Sequence, residues 1–513
     1  MPTFGGVPRI PERYCHPLYL KLRDIWRFYE LSYLGAPDYL NPDILVEYTF
    51  IRYLTDNGHE TPVEDRYSLN SFLHPYAREQ VPFYRQRLRR SWYRNLCQPT
   101  LDIVRDHSLG DNVERTSDGA PALADFWRDC DHTGATADEW MAEGMTQALM
   151  VGHMFAVADL PRFLPGELRT LHDEQTLGVR PYATWYTPLQ VPDWQVDRFG
   201  RITKLVLLEE DTREESRGKV VDPLWRILWP DRWEVRAESP EGETIDEGPN
   251  PIGRVPVEVL RPKKLPGVRQ PVGLSFLHAI APLNQQIYNT DSMRDELKYR
   301  QSPFLAVPGG KGMSQMEIGT SHAFGLPEGA SAPAWTVMPE HAYTVLSDQI
   351  AEHVLAIRAL AGLSRGSSEQ SISARSGEAL LVETQDKRAM LGGFRHEAED
   401  FETRMGNLVA EMARQPWTGH VRYSDRYFVT SFTDELVEAS KFLDLPTTAA
   451  VKKEIVEGLV RRYLAHLGAE RVAELLLEPE VAAAPVALLP PPTDIIAPTN
   501  GTPAPTVAPQ PKE

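Results

Sequence analysis

The chain predicts an α+β fold, and three observations carry that prediction. Apolar residues recur at three- and four-residue spacing between about Leu274 and Met412, the mark of helices that bury one face. Short runs rich in β-branched and aromatic residues, broken by charged or Gly/Pro turns, fill residues 182–260 and mark antiparallel strands. The 513 residues also exceed the roughly 250–300 that one core supports, so more than one folding unit is expected.

Taken in order, residues 1–45 are rich in Pro, Tyr and Leu and are expected to form an N-terminal arm that packs on a neighbouring molecule. Helical spacing follows over Ile44–Leu54 and again over Tyr84–Val104. In the second stretch Arg85, Arg87, Arg89, Arg90 and Arg94 interleave with Tyr84, Trp92 and Tyr93. Such a run fits nucleic-acid contact, but the preferred reading is a solvated helix face whose arginines pair with nearby acids, because charge runs usually lie at the surface. Asp138 and Glu139 suit a helix start near Ala137. Beyond Leu149 the segment VGHMFAVAD reads as a strand, in which His153 is expected to be a satisfied core residue. TWYTPLQVPDW, ITKLVLLEE, PLWRILW and RWEVRAE are further strands, with EEDTREESRGK as an exposed hairpin connection.

In the helical half, Phe276, Ile280, Leu283 and Ile287 form one stripe. Asp291, Arg294, Asp295, Glu296, Lys298 and Arg300 then suggest a helix that has left the core for water, with Glu296 pairing to Arg300 one turn on. At about 1.5 Å per residue such a rod reaches roughly 40 Å. The insert 302–338, with PGGKG and LPEGASAPAW, has too few apolar positions for its own core and reads as a small β-rich cap. Helical periodicity resumes through Leu346, Ile350, Val354, Ile357 and Ala361, and Gly362 is placed to stop it. LSRGSSEQSISARSG has almost nothing to bury. A long helix follows through Leu381, Leu391, Phe401, Met405, Leu408 and Met412, with a kink expected at Gly392 and Gly393. Residues 434–442 and 447–477 read as helices, and the Pro/Ala-rich remainder as a disordered tail.

Composition and motifs exclude more than they assign. No apolar run is long enough to span a membrane, and the first residues lack a signal-peptide pattern, so the chain is expected to stay in the cytoplasm where it is made. Cys15, Cys97 and Cys130 offer neither a disulfide framework nor a CxxC metal site. No cofactor or metal is expected. A net charge of −18 argues against a DNA clamp, which needs Lys and Arg at the phosphates, and permits a conduit through which DNA slides. Gly362-Leu363-Ser364-Arg365-Gly366 matches G-x-S-x-G, and Asp400 and His420 could complete a serine-hydrolase order, but that motif needs a strand before it and a helix directly after it. The phosphate-loop spacing is absent from PGGKGMS.

The ordered series FYRQRLRRSWYRNLCQPTLDIV, ALMVGHMFAVADLP, RPYATWYTPLQVPDW, IGRVPVEVL, NQQIYNTDSMRDELKYRQSPFLAVPG, LPEGASAPAW and ISARSGEALLVETQDKRAMLGGF resembles the portal proteins of tailed bacteriophages over about Tyr48–Thr433. The resemblance implies a non-enzymatic ring, typically of twelve subunits, around a DNA tunnel at a capsid vertex. It implies a mixed α/β wing (46–273) away from the tunnel, stem helices (274–301 and 341–361), a clip (302–340) and a tunnel loop (362–377). A long kinked helix returning to the wing (378–430), a crown (431–477) and a tail (478–513) complete it. It places Ser364, Arg365, Ser367, Ser368, Gln370, Ser371 and Arg375 toward DNA, where isolated cations and hydroxyls suit exchangeable phosphate contacts. It places Lys311, Met313, Glu328 and Trp335 in the partner-binding clip. Implied partners are double-stranded DNA, terminase, a head-completion or adaptor protein, and capsid and scaffolding proteins, in the virion and, during assembly, the host cytoplasm. A cytoplasmic hydrolase using Ser364 and a non-portal virion adaptor are the alternatives.

Overall fold

The computed structural model describes residues 10–56, 59–76, 79–110, 113–161, 179–215, 218–300, 304–306, 334–336, 340–363 and 377–423, and it shows an α+β chain. Its helices are α1 (Pro17–Leu34), α2 (Val81–Arg90), α3 (Cys97–Leu109), α4 (Pro121–Arg128), α5 (Ala137–Val151), α6 (Ile280–Arg300), α7 (Glu340–Leu360) and α8 (Gly377–Met412). Its strands are β1 (Val46–Asp56), β2 (His59–Leu69), β3 (Val113–Arg115), β4 (Met154–Asp159), β5 (Tyr182–Tyr186), β6 (Asp193–Val196) and β7 (Ile202–Glu215). They continue as β8 (Gly218–Leu228), β9 (Arg232–Ala237), β10 (Thr244–Pro249), β11 (Val257–Leu260), β12 (Phe304–Ala306), β13 (Ala334–Thr336) and β14 (Val421–Tyr423).

All the strand pairings are antiparallel. β10-β9-β8-β7-β6 form one sheet, β11-β4-β5 a second, and β1-β2, β12-β13 and β14-β3 are two-stranded. The main core lies where α5 and the second half of α8 cover β4 and β5. Phe155, Leu391, Phe401, Met405, Leu408 and Val409 are fully buried there. Trp185 of β5 stacks on Trp140 of α5 (4.2 Å) and on Phe401 of α8 (5.3 Å), and its indole N–H donates to the Trp140 carbonyl (3.0 Å). Gly144 is required by this stack, since a Cβ there would lie 2.0 Å from the Trp185 ring. α5 starts as its acids suggested, with a reciprocal Thr136/Glu139 capping box.

A second, smaller core is made of tyrosines. Tyr39, Tyr48, Tyr84, Tyr93 and Tyr288 pack with Leu31, Phe72 and Leu73. Three of the hydroxyls donate to main-chain carbonyls: Tyr48 to Ser71 (2.7 Å), Tyr84 to Leu73 (2.7 Å) and Tyr93 to Ser32 (2.9 Å). These bonds let a polar ring end be buried at little cost.

Several expectations are corrected. Ile44–Leu54 is not helical: its Val, Tyr, Thr, Phe and Ile favour a pleated strand, and β1 pairs with β2 along its whole length. Tyr84–Val104 is two helices, because the chain turns extended at Ser91 and restarts where Asn95 accepts the Gln98 N–H (3.0 Å) and Pro99 occupies the first turn. EEDTREESRGK holds the β7–β8 hairpin as expected, but the strands pair further into it, out to Glu215 opposite Gly218. α1 packs on its own chain: Tyr19 and Trp26 enter the main core and Leu31 the tyrosine core. His153 is core, edge-on to Trp26 and Phe155 (both 5.3 Å), but among the described residues neither ring nitrogen has a hydrogen-bond partner. Burial, with Arg261 nearby, holds its pKa down at about 3. The helices expected at 434–442 and 447–477 and the tail lie outside the described residues.

Candidate functional site

The candidate site is a helical hairpin made by α6 and α7, which pack side by side. The Ser275 hydroxyl accepts the Leu277 N–H (2.9 Å) and donates to the Met150 carbonyl of α5 (2.5 Å), which fixes the entry to α6. Ile280, Ala281, Ile287 and Tyr288 are buried. Asn289, Thr290, Asp291 and Ser292 are buried too, and four consecutive residues face every side of a helix, so α6 is enclosed through this turn. It emerges at Met293, which is exposed. Charge therefore does not begin where water begins, and the expectation that Asp291 is solvated is corrected.

The charges instead bolt the root of α6 to α2 and the segment after it. Arg87, buried, makes an ion pair with Glu79 (2.7 Å), donates to the His74 carbonyl (2.7 Å) and Ser292 Oγ (3.2 Å), and lies over the Tyr76 ring (3.8 Å). Ser91 Oγ donates to Ser292 Oγ (2.8 Å), and Asn289 Oδ1 accepts the His74 N–H (2.7 Å). Arg90 pairs with Glu296 at 2.6 Å, a partner on α2 that helical spacing does not reveal; the side chain of Arg300, the partner expected one turn on, lies outside the described residues. Arg94 (3.4 Å) and Arg294 (2.6 Å) flank Asp291. Desolvation raises the Asp291 pKa, against the pull of those two guanidiniums. The basic run is thus an anchor for Arg87, Arg90 and Arg94, as its charge-pairing reading holds. Sequence spacing could not find Ser292 and Glu296, which lie 205 and 206 positions from Arg87 and Arg90, whereas Glu79 lies only eight positions before Arg87.

α7 returns along α6 with Ile350, Ile357 and Ala361 buried, and Lys298 Nζ of α6 sits over the Tyr343 ring (5.4 Å). Its end is a Schellman cap. Gly362 has φ +64°, its N–H donates to the Ala359 carbonyl (3.0 Å), and the Leu363 N–H reaches the Arg358 carbonyl (2.7 Å). Where α6 ends and α7 begins, β12 and β13 pair, with Phe304 opposite Thr336 and Leu305 opposite Trp335. The insert thus leaves and re-enters through a closed two-stranded neck.

Of the sequence-derived site residues, Trp335 lies in β13. Lys311, Met313, Glu328, Ser364, Arg365, Ser367, Ser368, Gln370, Ser371 and Arg375 lie outside the described residues. A helix, not a strand, leads to Ser364, so the hydrolase context fails. Asp400 faces His396 (3.6 Å), while His420 faces Thr116 (3.3 Å) and Glu114 (3.8 Å). Among the described residues no group of three His, Cys, Asp or Glu could hold a metal, and no helix is long and apolar enough to cross a membrane.

No protein-family model matches the chain, and no curated protein matches it. A solved structure of the virion of a native gene transfer agent particle overlaps 70% of this chain and 89% of its own, at 11% identity and TM-score 0.37. The neck of the empty particle, computed with C6 symmetry, overlaps 75% and 90% at 12% identity and TM-score 0.34. The neck of the native particle, computed with C12 symmetry, overlaps 74% and 89% at 12% identity and TM-score 0.33. At scores this low the overlaps carry no argument, and a functional reading rests on the residues of this chain.

Proposed function

We propose that the chain is a portal subunit: one member of a ring, of about twelve by family resemblance, at a capsid vertex of a phage-type particle. The ring is a conduit for double-stranded DNA during packaging and ejection. It nucleates assembly with capsid and scaffolding proteins, docks an ATP-driven terminase, and later holds a head-completion or adaptor protein. The subunit is not an enzyme and takes no cofactor, so the driving force comes from the terminase. Two things support this reading: the ordered series of portal-like segments, and the antiparallel helix pair whose far end is pinched into a two-stranded neck. The second observation carries it, because a rooted hairpin that presents an insert is the geometry a stem and clip require. In this reading α6 and α7 are the stem, Lys311, Met313, Glu328 and Trp335 serve the clip, and Ser364 to Arg375 face DNA.

Native mass spectrometry and class averages of the purified chain test the proposal. The expected result is a closed ring with an axial hole wide enough for duplex; a monomer at every concentration and salt overturns it. Arg365→Glu with Arg375→Glu is expected to change the rate or length of DNA packaged, and unchanged packaging removes those side chains from the mechanism.

A further inference from the structure

The five-stranded sheet carries opposite charge at two corners that one chain cannot bring together. The first corner is the turn between β6 and β7. Asp197 Oδ1 accepts the N–H groups of Phe199 (2.8 Å) and Arg201 (2.9 Å), and Gly200 takes φ +87° where a Cβ would meet the Arg269 carbonyl at 2.8 Å. The turn is therefore rigid, and it holds Phe199 out with 67% of its surface exposed. The guanidiniums of Arg198 and Arg201 lie 4.6 and 5.9 Å from the Phe199 ring centre, and Arg269 donates to the Arg198 carbonyl (2.6 Å). Val268 adds a second exposed apolar side chain.

The second corner is the turn between β9 and β10 with the outer edge of β10. Glu238, Glu241, Glu243, Asp246 and Glu247 are exposed there around Ile245, itself 52% exposed. Two cations lie beside it: Arg236, whose guanidinium is taken up by Glu234 (3.0 Å) and the Pro240 carbonyl (2.9 Å), and Arg13, linked to Glu241 through the Tyr14 hydroxyl (2.6 and 3.1 Å). β10 and β6 are the two edges of the sheet, about 19 Å apart at ~4.8 Å per strand. Leu228 pairs with both Leu205 and Trp233, which puts the β8–β9 turn at the Phe199 end and the β9–β10 turn at the other. The corners are thus diagonal.

We propose that the arginine-flanked Phe199 corner of one copy docks on the acidic Ile245 corner of the next, a heterologous contact of the kind that closes a ring. The occupant is a second copy because each corner offers what the other lacks: an apolar centre on both, with cations around one and carboxylates around the other. This rests on the ring reading above.

The test is charge exchange. Arg198→Glu/Arg201→Glu and Glu241→Arg/Glu243→Arg are made separately, with circular dichroism checking that each folds. Each alone is expected to raise the concentration for half-assembly at least tenfold, because like charges meet at the joint. Mixed one to one, they are expected to assemble again with alternating subunits, seen by native mass spectrometry. Either variant assembling as wild type, or a mixture that stays apart, overturns the proposal while the wild-type ring stands. A wild-type chain that never assembles overturns the ring reading as well. Nucleic acid bound by wild type and lost with Phe199→Ser, assembly unchanged, assigns the tip elsewhere and overturns it too.

Discussion

The two cores hold their helices by different chemistry. Around α8 the buried groups are Leu391, Phe401, Met405, Leu408 and Val409 against stacked tryptophans, and stability there comes from apolar area and close packing. Around the root of α6 they are tyrosines, an asparagine, a serine and an aspartate, bonded or ion-paired to α2 and to the segment at 71–76. The first arrangement tolerates repacking, whereas the second depends on partners being present in the correct place. A rigid, geometrically specified root is what a projecting hairpin needs.

The difference can be broken from either side. Phe401→Ala removes a fully buried ring and is expected to cost about 3–5 kcal/mol, read as a lower urea midpoint. Arg87→Met leaves Glu79 buried without its cation and is expected to cost about 3 kcal/mol, whereas adding Glu79→Leu is expected to restore most of it. A double variant as weak as the single one would make the root an ordinary packing site.

Acid separates the two regions by sign. His153 stays neutral in the folded main core down to about pH 3, while the unfolded chain takes up its proton near the ordinary 6.5. The unfolded state then binds more protons, so stability falls as pH drops between those values, by about 2 kcal/mol at pH 5. His153→Phe is expected to flatten that slope in urea melts at pH 7 and 5. At the root the raised Asp291 pKa works the other way: the folded chain takes the proton first, so acidification relieves its buried charge. Asp291→Asn is expected to remove that gain. The smallest effect is that of Arg90→Ala, whose partly exposed pair with Glu296 is worth about 1 kcal/mol or less.

Legibility in the sequence follows the same divide. The stripes Ile350, Ile357 and Ala361 and Leu391, Phe401, Met405 and Leu408 were readable because burial there is apolar and recurs with the helical period. Gly362 was readable because the Schellman cap needs a left-handed residue. Asp291 and Ser292 were not, since a periodicity argument equates charge with water. Arg87, Arg90 and Arg94 showed as a basic run, but pairing across the chain leaves no local mark. Ile44–Leu54 was misread because its apolar residues satisfy helical and alternating spacing alike, and β-branched content should have decided.

The anchoring of α6 also sets a schedule for biosynthesis. Arg87 meets Ser292, Arg90 meets Glu296 and His74 meets Asn289 across 205, 206 and 215 residues. At roughly 5–20 residues per second, the ribosome takes on the order of 10–40 s to deliver the later partner after the earlier one. Throughout that interval Tyr39, Tyr48, Tyr84 and Tyr93 wait without Tyr288, so the nascent N-terminal third is the stretch on which a chaperone has most to do.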